Sequence, residues 1–453
     1  MNYSRSDELR RRAHRAIPGG AHTYSKGDDQ FPQLSPGFVV RGNGSRVWDV
    51  DGNSFVDWGM GLRSVILGHA HESVVRAVER CLRDGSNFTR PHPMEIEAAE
   101  LLVETIPSAE MVKFAKNGSD ATTAAVRLAR AHTGRDIVAC CQDHPFFSTS
   151  DWFIGTTECS AGVPRQTQWM TKRFRYNDIG TLASLFEEHP DEIACVILEP
   201  TCKEEPRDGY LESVRDLCRE HGAVLIFDEV ITGFRWHPRG AQSYFGVTPD
   251  LSTFGKAMAN GFAVSALVGR REIMELGGLQ HTKPRVFLLS TTHGGEVHSL
   301  AAALATIRAL NCEDVTEHIW CIGRLLQEGL NDLAVAVGLG DQVHATGYPC
   351  SPVVEIDAAG GIAALQLRTL FLQETIKKGV LMPYVAPSYS HTEADVRLTL
   401  DACHHALRVL REAIDCGSVE GRLVGETVRP VFRKYNREDD RLNEPTFDAI
   451  ASA

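Results

Sequence analysis

Short apolar runs separated by amphipathic stretches occupy the middle of this chain. Met111-Val112-Lys113-Phe114, Ile137-Val138-Ala139-Cys140, Ala194-Cys195-Val196-Ile197-Leu198, Val224-Leu225-Ile226-Phe227 and Ala266-Leu267-Val268 are the clearest. Runs this short and this continuously apolar predict strands buried on both faces. Helical stretches between them predict crossovers, and so a mostly parallel sheet covered by helices from about residue 70 to 310. Upstream, Val39-Val40-Arg41 and Arg46-Val47-Trp48-Asp49-Val50 flank Gly42-Asn43-Gly44 and read as short antiparallel strands. Asp51-Gly52 then makes a turn before Phe55-Val56-Asp57. A basic helix from Glu8 to Ala16 is broken by Pro18-Gly19-Gly20. Downstream, a helix from Val315 to Val337, strand signals from Pro352 to Ile356 and a last helix from Glu393 to Ile414 predict a smaller α/β lobe. The expected division is an N-terminal segment 1–60, part of the small domain, a large domain 61–310, and a C-terminal small domain with tail 311–453. The polar tail after Arg433 is expected to be partly disordered.

Composition narrows the function classes. A chain of 453 residues with 43% hydrophobic and 23% charged residues suits a globular protein of two or three lobes. Its net charge of −12 disfavours nucleic acid and anionic membranes as partners. No apolar run reaches spanning length, and Met1 to Glu8 has no apolar signal core, so the expected location is cytoplasmic. The twelve cysteines lack CxxC spacing and read as reduced thiols. The eighteen histidines form neither HxxxH nor HExxH, so no metal site is expected.

Candidate chemistry follows the strand ends, because ligands of open parallel sheets bind beyond the carboxyl ends. The run Val224 to Phe227 delivers Asp228 at such an end, and Lys256 follows in the small-residue stretch Ser252-Thr253-Phe254-Gly255, read as a loop. A lysine that holds a cofactor as a Schiff base, and an acid that keeps a ring nitrogen protonated, are what pyridoxal phosphate requires. Val230, two residues beyond Asp228, can pack on the ring face. Lys116-Asn117-Gly118-Ser119-Asp120 opens a helix whose N–H groups, with the Ser119 hydroxyl, can hold a phosphate. The plainer alternative is that Ser119 or Asp120 only caps that helix. Asp143-His144-Pro145-Phe146-Phe147 offers a ring to stack on a flat cofactor, and Glu199 leaves a strand just before Pro200.

Phe227-Asp228-Glu229-Val230-Ile231-Thr232-Gly233-Phe234-Arg235, then Thr248-Pro249-Asp250 and Phe254-Gly255-Lys256-Ala257, resembles the signature of class III pyridoxal-phosphate-dependent aminotransferases. Within that class the chain is most similar to glutamate-1-semialdehyde aminomutase and its aminotransferase relatives, over roughly residues 10–410. The resemblance implies fold type I and a homodimer with its active site at the subunit interface. It implies that Lys256 binds the cofactor, Asp228 partners the pyridinium, Val230 backs the ring, and Gly118 and Ser119 hold the phosphate. It places Glu199 near the cofactor, His144 or Phe146 as the stacking ring, and Thr291 on the phosphate of the neighbouring subunit. Lys26 stands where the aminomutase has a carboxylate-gripping arginine, Leu62-Arg63-Ser64 replaces Trp-Gly-Pro, and Gly294-Gly295-Glu296 replaces Gly-Asn-Pro. Lys26, Arg63, His22 and Tyr24 are therefore the candidate substrate contacts. These departures lead to the expectation of an aminotransferase that moves an amino group from an amino-acid donor to a carbonyl acceptor, such as a keto-sugar, cyclitol or secondary-metabolite intermediate. The alternatives are an aminomutase of the glutamate-1-semialdehyde type and a non-catalytic binding protein of the same fold.

Overall fold

The structure, a computed structural model, describes residues 1–436. The rest of the polar tail, residues 437–453, lies outside the described residues. Near the N-terminus β1 (Val39–Asn43), β2 (Arg46–Asp49) and β3 (Ser54–Asp57) form an antiparallel meander. The central sheet contains β4 (Met111–Ala115), β5 (Ile137–Cys141), β6 (Thr171–Phe174), β7 (Ile193–Leu198), β8 (Val224–Asp228), β9 (Leu251–Phe254) and β10 (Ser265–Gly269). Their order is β4-β10-β9-β8-β7-β5-β6. β10 runs antiparallel to both neighbours, and the other pairings are parallel. The reversal follows from the short link between Phe254 and Ser265, which holds only the 3₁₀ turn Lys256–Ala259. A parallel connection needs a crossover of a dozen residues or more.

Two strands escape the apolar pattern. β6 lies on the sheet edge, where Lys172 and Arg173 face outward between the buried Thr171 and Phe174. β9 corrects the loop reading of Ser252 to Gly255: all four of its residues are buried, two of them with hydroxyls. Each hydroxyl has a partner, as burial demands. Ser252 Oγ meets Ser108 Oγ at 3.0 Å, and Thr253 Oγ1 donates to Asp228 Oδ1 at 3.0 Å.

Downstream, β11 (Val343–Thr346) and β12 (Val353–Ile356) pair antiparallel, and β13 (Val380–Leu381) joins β3 in parallel. The C-terminal segment thus completes the N-terminal sheet. Helices Val315–Ala336, Ala364–Lys377 and Glu393–Cys416 pack on it, with Val56 and Trp58 buried against Leu326, Leu370 and Leu407. Trp58 Nε1 donates to Thr399 Oγ1 at 2.8 Å, which satisfies the indole inside this core. The first helix begins at Ser4, earlier than its pattern indicates. The Asp51 carboxylate accepts the N–H groups of Arg5 and Ser6 at 2.8 and 2.9 Å, a cap supplied from 45 residues away. Among the described residues no helix is long and apolar enough to cross a membrane.

Candidate active site

Parallel pairing brings the chemistry to one edge. In β8 and β9, Asp228 lies opposite Thr253, so the chain leaving β9 places Lys256 beside the carboxyl end of β8. β7 ends before Glu199 and β5 before His144. β4 is parallel to this set across the antiparallel β10, so Asn117-Gly118-Ser119 emerges at the same edge.

Lys256 takes a left-handed backbone, φ 41°, rare for a residue with a side chain. Burial pulls its ammonium pKa down and Arg63 adds to the effect, while Asp228 and Glu199 oppose it. Asp228 is buried, and its Oδ1 accepts the Val230 N–H and the Thr253 hydroxyl, both at 3.0 Å. Burial nevertheless raises its carboxyl to about 6. The adjacent Glu229 is a scaffold acid: it accepts the Ala241 N–H and, at 2.8 Å, the Gln242 side-chain amide. Alternation along an extended segment sends the two neighbouring acids to opposite sides.

Glu199 is buried, and its Oε1 has no hydrogen-bond partner among the described residues. Burial raises its carboxyl to about 8, with a further push from Asp228 and opposition from Lys256 and Arg63. It is therefore a neutral acid near pH 7. His144 is buried beside it, accepting the Glu199 N–H on Nδ1 at 3.0 Å and packing on Tyr176 at 4.9 Å. Burial pulls this imidazole down to about 3, so it is neutral and carries its proton on Nε2. Phe146 is exposed and sits edge-on to Phe153 at 5.6 Å. The two aromatic candidates therefore occupy different places, His144 inside and Phe146 outside.

Helix Gly118–Thr133 opens at the site. Its cap is Asn117, whose Oδ1 accepts the Asp120 N–H at 3.1 Å, which corrects the assignment of the cap to Ser119 or Asp120. Ser119 is buried and accepts the Thr149 N–H at 3.0 Å, leaving its own O–H to donate. A Cβ on Gly118 would lie 2.9 Å from Val230 Cγ2, so Val230 closes directly on the helix start.

Arg63, Pro145, Glu199, Cys202, Ile231 and Arg368 line a cavity of about 270 Å³ next to this cluster. His22, Tyr24 and Lys26 are exposed and do not reach it. Thr291 is also exposed and borders a separate cleft with Asn87 and Pro91. One chain thus brings together Lys256, Asp228, Val230, Gly118, Ser119, His144, Glu199 and Arg63, and leaves Thr291 and the three N-terminal candidates outside. Thr253 and Arg368 escaped the sequence reading. Thr253 becomes findable once β9 is recognised as the neighbour of β8, whereas Arg368 carries no local signal.

This donor set fits pyridoxal phosphate: a primary amine, a buried carboxylate with one oxygen still free, a helix N-terminus, and an unpartnered Oε1 facing inward.

Comparison with known proteins agrees. The model of the family "Aminotransferase class-III" matches residues 28–407. The chain is 34% identical over 432 residues to a glutamate-1-semialdehyde 2,1-aminomutase of Desulforamulus reducens, covering 90% of this chain and 98% of that one. It is 36% identical over 436 residues to the protein of the same name from Desulforudis audaxviator, again covering 90% and 98%. The solved structure of the "PLP internal aldimine form" of the FumI protein from Sphingopyxis sp. MTA144 superposes with a TM-score of 0.84 at 28% identity, covering 91% of this chain and 98% of that one. The aminomutase relatives overturn the expectation of an aminotransferase drawing on a separate amino donor. The cofactor core serves both reactions, so its motifs do not separate them. The departures at Lys26, Arg63 and Gly294 to Glu296 change individual residues and do not imply a second substrate. The site geometry and the family match converge: the chain belongs to the class-III aminotransferase family, enzymes that use pyridoxal phosphate to act on small molecules.

Proposed function

We propose that this enzyme is an aminomutase of the glutamate-1-semialdehyde type, an isomerase that shifts an amino group between neighbouring carbons of a short amino acid without an external donor. The observation that carries this reading is the likeness to aminomutases along nearly the whole length of both chains. A cavity of about 270 Å³ suits one small substrate.

Pyridoxal phosphate, when bound, supplies the carbonyl that takes up the amine and the ring that absorbs electrons. Lys256 holds the cofactor and, once released, its Nζ takes a proton from one substrate carbon and returns one. A pKa pulled down by burial keeps part of the amine in the free-base form this needs. Asp228 keeps the proton on the ring nitrogen through its free oxygen, while Val230 N–H and Thr253 fix the other. Val230 backs the ring, and Gly118 and Ser119 donate to the phosphate. Glu199, neutral and anchored through its backbone by His144, donates a hydrogen bond inside the site. The exposed Thr291, His22, Tyr24 and Lys26 serve the site of a second copy, so the working unit is a homodimer. Light scattering should then give twice 49.9 kDa; a monomer retaining full activity would remove the dimer from the account. The reaction itself is tested by supplying glutamate-1-semialdehyde alone: the isomer should form at a rate that an added amino acid does not raise.

A further inference from the structure

Met60–Arg63 is a turn wound the wrong way for L residues. Met60, Leu62 and Arg63 have φ of 41°, 61° and 69°, with Gly61 at 60° between them. Left-handed backbone persists at residues with side chains only where the surroundings enforce it. Here the enforcement is visible. Arg63 N–H bonds Gly59 O at 3.1 Å, and Val65 N–H bonds Met60 O at 3.0 Å. Arg235, fully buried, donates to Arg63 O at 3.3 Å and also to Cys350 O at 3.1 Å and Pro387 O at 2.9 Å. One guanidinium thus ties the turn to two other segments.

The turn presents the Arg63 side chain to the cavity. Its Nε donates to Ser351 Oγ at 3.2 Å, and its guanidinium lies 5.4 Å from the Tyr384 ring. These contacts hold the stem and one face, and leave both terminal nitrogens for a ligand. Arg368 stands in the same cavity, but its terminal nitrogens already donate to Val354 O at 3.2 Å and Pro383 O at 2.8 Å. Neither arginine forms an ion pair among the described residues, and the acid in this cavity, Glu199, is held neutral by burial. The cavity therefore carries two positive charges that no protein carboxylate answers. Both side chains are half-buried, so an anionic ligand in the cavity would find them only partly screened by water, and a planar fork is shaped for a carboxylate.

We infer that Arg63 grips the substrate's carboxylate with its two terminal nitrogens, and that Arg235 is the positioning residue holding the turn that presents it. This rests on Lys256 as the reacting centre, as proposed above, and adds the group that selects what is bound there.

The test is calorimetric titration of the cofactor-loaded enzyme with pentanoate and with pentanamide, which has nearly the same shape without the charge. The unaltered enzyme should bind pentanoate at least about tenfold more tightly. Arg63→Gln should abolish that preference with the cofactor absorbance unchanged, and Arg63→Lys, which keeps the charge without the fork, should retain part of it. Arg235→Lys should weaken pentanoate while leaving pentanamide alone; a purely structural role would weaken both. No preference in the unaltered enzyme, or a preference that survives Arg63→Gln, overturns the inference. An enzyme that keeps the Arg63-dependent preference but requires an added amino donor overturns the isomerase reading alone.

Discussion

Asp228 and Glu229 are adjacent acids with opposite duties, and only their surroundings distinguish them. Asp228 was legible because it ends an apolar strand within a recognisable motif. Glu199 was legible as a position but not as a neutral acid, since its protonation depends on burial that no local pattern encodes. That burial has a measurable sign. A carboxyl near 4.5 in the unfolded chain and about 8 in the fold keeps its proton in the native state across that interval. The unfolded state binds fewer protons there, so stability falls as pH rises from 4.5 to 8 and levels off beyond. Glu199→Gln removes this loss. Its melting temperature should gain on the unaltered enzyme by roughly 2 °C or more between pH 5 and pH 8. An offset equal at both pH values would mean that Glu199 is ionised throughout. Lys256→Ala should cut turnover by at least about 10²–10⁴-fold and abolish the visible absorbance of the bound cofactor, read in one spectrum and one rate measurement. A variant that kept both would remove Lys256 from the centre of the account.

At the level of elements, the strands that were legible are those whose apolar character is continuous. β9 was not, because its two hydroxyls look like loop chemistry until Ser108 and Asp228 are seen to pair with them. The start of the first helix was hidden for a similar reason, since its cap comes from Asp51. The opening of helix Gly118–Thr133 carries the clearest prediction at this scale. Gly118→Ala places a methyl 2.9 Å from Val230 Cγ2 and forces Val230, the residue proposed to back the ring, to move. Its affinity for pyridoxal phosphate should fall about tenfold, in line with the usual cost of overpacking. Adding Val230→Ala should restore most of that loss, because it vacates the space. Equal affinities for Gly118→Ala and the unaltered enzyme, measured by fluorescence titration, would show that the contact does not position Val230.

For the whole molecule, the α/β class and the gathering of sites at one sheet edge were legible, because alternating strands and helices constrain topology strongly. The reversed β10 was not, since direction depends on the length of a link rather than on the strand's composition. Nor was the reaction. The residues proposed to hold the cofactor, Asp228, Lys256 and the helix opening at Gly118, suit an aminotransferase and an aminomutase alike, so they do not say where the nitrogen comes from. Four candidates, Thr291, Lys26, His22 and Tyr24, find no place in the cavity of their own chain, which is why assembly enters the proposed function.

The most direct test of the isomerase reading follows the nitrogen. Glutamate-1-semialdehyde labelled with ¹⁵N is converted by the cofactor-loaded enzyme in an excess of unlabelled glutamate and alanine, and the product is analysed by mass spectrometry. The account predicts an isomer that keeps essentially all of the label. An unlabelled product, or none without the added amino acids, would contradict it.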